Sequence, residues 1–137
     1  GPSTALFENC MIHSKRNSYV TAASTPKEAK YGYIFKHCKL TAEPGVDKVY
    51  LGRPWRPYAY TLFIECELGK HIVPAGWHNW GKQSNEETAR YMEYKNTGEG
   101  ANVSERVAWS KQLTKKEAEA VTVDAIFGTQ SNWNPID

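Results

Sequence analysis

No stretch of the sequence approaches the ~20 apolar residues that a membrane-crossing helix needs. A dominant charge is lacking too. Lys and Arg number 17 against 15 Asp and Glu, leaving a net +2 and an isoelectric point near 8.4. A domain that binds nucleic acid by its phosphates usually shows a pI above about 9 and a clustered basic face. Nucleic acid and membrane are therefore both set aside as partners. Glycine (10) and proline (7) are too few for a collagen or a Pro/Gly-rich disordered tail. The first residues carry no basic-then-apolar pattern of a secretory leader. Histidine is sparse: residues 13, 37, 71 and 78 show no ligand spacing and are expected on the surface or in a groove. Cysteine is limited to three residues, an odd number for a disulfide framework, and no pair has the close spacing of a zinc motif. No metal and no cofactor is expected. Aromatic residues are what the chain has in plenty, with 5 Trp and 8 Tyr. They suit a carbohydrate surface and an ordinary core equally.

The 137 residues make one domain by length, and the cysteines organise it. Cys10, Cys38 and Cys66 are spaced by 28 residues each time, and each has Phe three positions before it (Phe7, Phe35, Phe63) and Ile or Leu two positions after it. Self-similarity at such a period marks a solenoid. Ala5–Ile12, Gly32–Leu40 and Tyr60–Leu68 read as strands, bounded by turn residues. Tyr19–Ala23, Val49–Leu51, Arg90–Tyr94 and Arg106–Trp109 read as further strand pieces between and after them. Two or three short strands in one 28-residue unit make a coil of a parallel β-helix, with like residues stacked about 4.8 Å apart. The Phe positions predict one inner ladder and the Cys positions another. Buried thiols are expected rather than a disulfide, because stacked parallel side chains lack the required dihedral. Glu8, Glu65, Glu67 and His37 are expected to point outward by alternation.

The last part of the chain changes character. Thr114-Lys115-Lys116-Glu117 is a capping box for a short helix through about Val121. Residues 1–112 are read as coils of the solenoid and 113–137 as a helix and tail packed on it. The first repeat begins within five residues of Gly1, which reads as a solenoid open at its N-terminal side. Asn102-Val103-Ser104 fits a glycosylation sequon.

Leu51-Gly52-Arg53-Pro54-Trp55 is the sharpest local feature. Gly allows an unusual backbone angle and Pro fixes the next turn, presenting Arg53 and Trp55 in defined directions. Two readings follow: an Arg that orients a carboxylate through its planar fork beside a Trp for sugar stacking, or a structural Arg on a surface loop.

These residues also carry a resemblance. Phe7-Glu8-Asn9-Cys10-Met11-Ile12 resembles the F-x-N-C-x-I strand of the pectin methylesterases, and Tyr19-Val20-Thr21-Ala22 their I/V-T-A segment. Tyr50-Leu51-Gly52-Arg53-Pro54-Trp55 is similar to their Y-L-G-R-P-W signature, and Pro74-Ala75-Gly76-Trp77 to their P-x-G-W. Residues 93–101 resemble E-Y-x-N-x-G-x-G-A, and Arg106-Val107-Ala108-Trp109 resembles R-V-x-W. The elements occur in the family's order along the whole chain, so the resemblance is to the family's C-terminal portion.

The resemblance implies a right-handed parallel β-helix and a carboxylic ester hydrolase that removes methyl esters from polygalacturonate without metal or organic cofactor. One Asp attacks the ester carbonyl, a second acts as acid and then base, and a Gln holds the oxyanion. Arg53 corresponds to the arginine that bonds the nucleophile and is the one catalytic residue carried over. Trp55 and, less directly, Trp80 correspond to sugar-contacting positions. Both Asp residues and the Gln lie upstream of the F-x-N-C strand in the family, so they are expected to be missing here. Gly1 falls at or near the last glycine of the family's D-F-I-F-G motif. Val123-Asp124-Ala125-Ile126-Phe127-Gly128 looks like that motif but stands at the position of the family's C-terminal tail. Asp124 is therefore read as tail packing, with chemistry as the other reading. The implied polymer is pectin, and the implied location is secreted, periplasmic or at the cell surface. A non-catalytic polysaccharide-binding or structural solenoid is the alternative.

Overall fold

The computed structural model describes residues 4–122 and residue 126. The long strands expected around each cysteine are each two strands meeting at a corner. β1 (Ala5–Glu8) turns into β2 (Met11–Ser14), β4 (Tyr33–Lys36) into β5 (Lys39–Ala42), and β7 (Tyr60–Ile64) into β8 (Glu67–Leu68). Asn9, His37 and Glu65 stand at the corners with φ of 55°, 54° and 49°. A single left-handed residue redirects the chain without breaking the ladder, since the Asn9, His37 and Glu65 N–H groups donate to Lys36, Ile64 and Tyr94 carbonyls of the next coil. The remaining strands are β3 (Tyr19–Ala23), β6 (Tyr50–Pro54), β9 (Arg90–Tyr94) and β10 (Lys111–Gln112). They complete sheets of order β1-β4-β7-β9-β10, β2-β5-β8 and β3-β6, with every strand pairing parallel. This is a parallel β-helix.

The corners carry a cost. Asn tolerates the left-handed region better than other side-chain-bearing residues, yet only Asn9 of these three is Asn. His37→Asn and Glu65→Asn, both at exposed positions, should each stabilise the chain by about 0.5–1 kcal/mol. Urea midpoints would show it, and a lower midpoint for both variants would refute the reading of the corners.

The repeat becomes register. Phe7 pairs with Phe35 and Phe35 with Phe63, and their rings stack at 4.9 Å and 4.6 Å. The Cys38 thiol donates to Phe7 O at 3.4 Å and the Cys66 thiol to Phe35 O at 3.3 Å. Both are buried, and burial pushes the Cys66 thiol up to about 12. They pack as protonated groups and are poor nucleophiles. Cys10 departs from the inner ladder. It is exposed, as is its neighbour on the first described coil, Phe7, at 38%. Glu8, Glu65, Glu67 and His37 do face solvent; Glu67 alternates with buried Cys66 and Leu68 as expected, whereas His37 and Glu65 are corner residues themselves and the Asn9 corner lies between Glu8 and Cys10. His71 corrects the expectation for the histidines: it is buried.

The Phe ladder ends on a charge. Phe63 pairs with Glu93, whose carboxylate is bound by Arg106 through Nε–Oε2 at 2.7 Å and Nη2–Oε1 at 3.0 Å. The pair is almost wholly buried, 3% and 1% exposed. Arg106–Trp109 is consequently not a strand but a bend and turn. The guanidinium also donates to Pro74 O and Gly100 O, at 3.1 Å and 2.8 Å, and this inward pull is incompatible with an extended ladder. The strand read at Val49–Leu51 runs instead over Tyr50–Pro54.

α1 (Asn85–Thr88) precedes β9, and α2 (Lys115–Glu119) follows β10. Val121 and Ile126 beyond α2 are buried in one cluster with Ile34, Leu62 and Ile64. α2 has its capping box: Thr114 Oγ1 accepts the Glu117 N–H at 3.2 Å and Glu117 Oε1 accepts the Thr114 N–H at 2.9 Å. Lys111, which donates to Glu117 Oε2 at 2.6 Å, and then Thr114 hold the Glu117 carboxyl at about 2 instead of its usual 4.5. A depressed carboxylate stabilises the fold above its unfolded value and stops doing so as the pH falls through the folded one. α2 should therefore fray between about pH 4.5 and pH 2. Amide exchange at Ala118–Ala120 would report it, and Glu117→Gln should remove the pH dependence. No helix among the described residues is long and apolar enough to cross a membrane.

Candidate functional site

Gly52 has an ordinary strand backbone, contrary to the expectation of an unusual angle, and is needed for space. A Cβ there would run into Thr21 Oγ1 on β3 and come within 3.1 Å of the Trp77 ring. With Gly at 52, β6 lies close against β3, pairing Thr21 with Gly52 and Ala22 with Arg53. Trp77 joins the other side of β6 by a parallel bridge to Gly52, and the His78 N–H donates to Gly52 O at 3.1 Å. Trp80 is thereby delivered beside Arg53.

The structure brings the three sequence-derived site residues together. The Arg53 guanidinium carbon lies 3.8 Å from the centroid of the Trp80 ring, 4.9 Å from that of Tyr19 and 5.7 Å from that of Trp55. Trp55 and Trp80 are 59% and 41% exposed. Cation–π contacts hold a guanidinium by its faces. Its N–H edge then stays available to a planar acceptor such as a carboxylate. Arg53 Nε is buried without a hydrogen-bond partner among the described residues, and so is the Tyr91 hydroxyl. Tyr91 stacks on Trp77 at 4.2 Å; burial raises its phenol, while the charge of Arg53 opposes that rise.

Sequence reasoning missed the residues around this centre. Tyr19 stacks on Tyr50 at 5.4 Å, and His78 stands edge-on to both at 5.6 Å and 5.1 Å. The register Tyr19↔Tyr50 places Tyr19 there, and the 28-residue period does not reveal it. Asp124 lies outside the described residues.

Known proteins share this construction. The Pectinesterase family model matches residues 1–130. Pectinesterase 31 of Arabidopsis thaliana is 40% identical over 119 residues, covering 86% of this chain and 38% of that protein. A pectin methylesterase from carrot superposes with a TM-score of 0.80 at 28% identity, over 93% of this chain and 45% of that one. A pectin methylesterase crystallised with a hexasaccharide superposes with a TM-score of 0.76 at 29% identity, over 95% of this chain and 46% of that one. This chain spans little more than a third of the Arabidopsis relative's length. The match through residue 130, on a β-helix whose coils stack in the register its cysteines announce, places the chain in the pectinesterase family.

Proposed function

We propose that this chain forms the arginine–tryptophan side of a site that hydrolyses the methyl esters of polygalacturonate outside the cytoplasm. One observation carries the reading. Arg53 is clasped by aromatic rings, and its Nε is buried with no acceptor among the described residues. A buried donor left unpaired is costly, and a carboxylate brought to it would relieve that cost. Arg53 then orients the attacking carboxylate and keeps it ionised. The carboxylate adds to the ester carbonyl, methanol leaves with a proton from a second carboxyl, and water cleaves the acyl intermediate. By the resemblance, both carboxylates belong to the part of the relatives that this chain does not cover. Trp55 and Trp80 line the sugar path, which the relative's complex with a hexasaccharide supports.

The test is a chimera. The counterpart of residues 1–130 in the Arabidopsis relative is replaced by this sequence, and methanol release from highly methylated polygalacturonate is measured. Release by the chimera, with none from the 137-residue chain alone, is expected. Release by the chain alone would contradict the assignment of the carboxylates. A silent, folded chimera beside a chain that binds oligogalacturonate would favour a non-catalytic polysaccharide-binding solenoid.

A further inference from the structure

Trp80 has φ of 59°, a backbone that a bulky side chain adopts only where its surroundings impose it. Two local bonds impose it here. His78 Nδ1 accepts the Trp80 N–H at 2.9 Å, and Asn79 Oδ1 accepts the Gly81 N–H at 2.8 Å. In each, a side chain bonds the backbone two residues on, as Asn and Asp do in Asx-turns. At residue 78 an imidazole does this work. The ring is itself held, edge-on to Tyr19 and Tyr50, while its backbone is tied to Gly52. The outcome of this chain of contacts is the indole of Trp80 lying on the Arg53 guanidinium at 3.8 Å.

We propose that His78 is the positioning residue of the site: its unprotonated Nδ1, by accepting the Trp80 amide, holds the indole over Arg53, and protonation of Nδ1 releases it. The proposal rests on the reading of Arg53 and Trp80 as the wall that meets an anionic sugar chain. Nδ1 must be bare to accept, so the hydrogen of the neutral ring sits on Nε2. A second proton turns Nδ1 into a donor facing a donor. The imidazole faces the Tyr50 ring on β6 and the Tyr19 ring on β3; Arg53 packs on the same Tyr19 and Trp80 rings, and Glu86 on α1 reaches the loop through Asn79 at 2.9 Å. Glu86 bonds the Asn79 amide and does not replace the acceptor that Trp80 loses. An imidazolium near Arg53 also adds like charge where Trp80 must sit. The site thus loosens its grip on Arg53 as the medium acidifies.

The test uses the 137-residue chain with isotope-labelled arginine. The indole ring current shifts the Arg53 side-chain resonances, and Trp80→Ala supplies the unshifted baseline. The wild-type shift is expected while Nδ1 is bare and should be lost once acid has protonated the imidazole. His78→Ala and His78→Phe should lack it throughout, although Phe fills the space of the ring. His78→Asn should keep it at both ends, because its Oδ1 accepts the same amide and does not titrate. A shift retained in His78→Phe, lost in His78→Asn, or unchanged with pH in the wild type would overturn the proposal. A separate titration with oligogalacturonate tests the underlying reading. If no binding occurs while the ring-current shift still follows residue 78, the positioning role stands and the reading of the site fails.

Discussion

Arg106→Ala should cost about 3–5 kcal/mol of stability, the range seen when one partner of a buried ion pair is removed. The reason lies in what is left behind. Glu93 is 1% exposed and would keep only the weaker donors around it: Trp77 Nε1 at 3.4 Å, Asn96 Nδ2 at 3.3 Å and Gln112 Nε2 at 3.3 Å. None of these carries a charge. The carbonyls of Pro74 and Gly100, which Arg106 ties to the end of the Phe ladder, would lose their donor too. Against a total stability of about 5–15 kcal/mol, the loss is large enough to unfold much of the population at mild denaturant. The attraction itself is a smaller matter, since burial of both charges offsets most of it. A double replacement, Arg106→Met with Glu93→Leu, should therefore recover most of the loss. Urea unfolding of Arg106→Met, Glu93→Leu and the double variant closes the cycle. A single variant within about 1 kcal/mol of the wild type would show that water reaches the pair. A double variant as unstable as the two singles summed would show that packing, not stranded charge, sets the cost.

How much of this was legible depended on whether a constraint acts on side chains or on backbone. The Phe and Cys ladders were, because stacking coils require the same kind of side chain at the same place, and the 28-residue spacing records it. The corners were not. Asn9, His37, Glu65 and Lys95 share a left-handed backbone and no side-chain type, since an exposed corner selects little beyond conformation. Arg106–Trp109 has the β-branched and aromatic content of a strand, but its arginine is claimed by a carboxylate 13 residues away, a separation no periodicity announces. Arg53 and Trp55, singled out from the LGRPW motif, and Trp80, singled out from the resemblance, do lie together. Tyr19 and His78 were not singled out, because the β3–β6 register joins residues 31 apart, Tyr19 to Tyr50, while the cysteines advance by 28. The coil has a different length on its different sides, and a single period cannot line up both.

Arg53→Met separates the two readings of the LGRPW arginine, because activity and stability should move independently. In the methanol-releasing chimera, the loss of a charge-assisted contact of about 1.5–3 kcal/mol should lower turnover at least tenfold. Lysine should rescue little, because a point charge cannot reproduce a planar fork. Stability of the 137-residue chain follows a different balance. Arg53 gains cation–π contact with Trp80, Tyr19 and Trp55, worth about 0.5–2 kcal/mol. It suffers a buried Nε without an acceptor among the described residues, a cost of about 1–3 kcal/mol. The terms nearly cancel, and methionine keeps the apolar stem against the same rings. The unfolding midpoint of Arg53→Met should consequently stay within about 1 kcal/mol of the wild type, on either side. A structural arginine predicts the reverse: a loss well above that figure, with turnover per folded molecule preserved. That result would remove Arg53 from the chemistry. A chain that keeps its stability and loses its turnover carries an arginine held at some cost for a partner it has yet to meet, which is the pattern expected where function and folding compete for one residue.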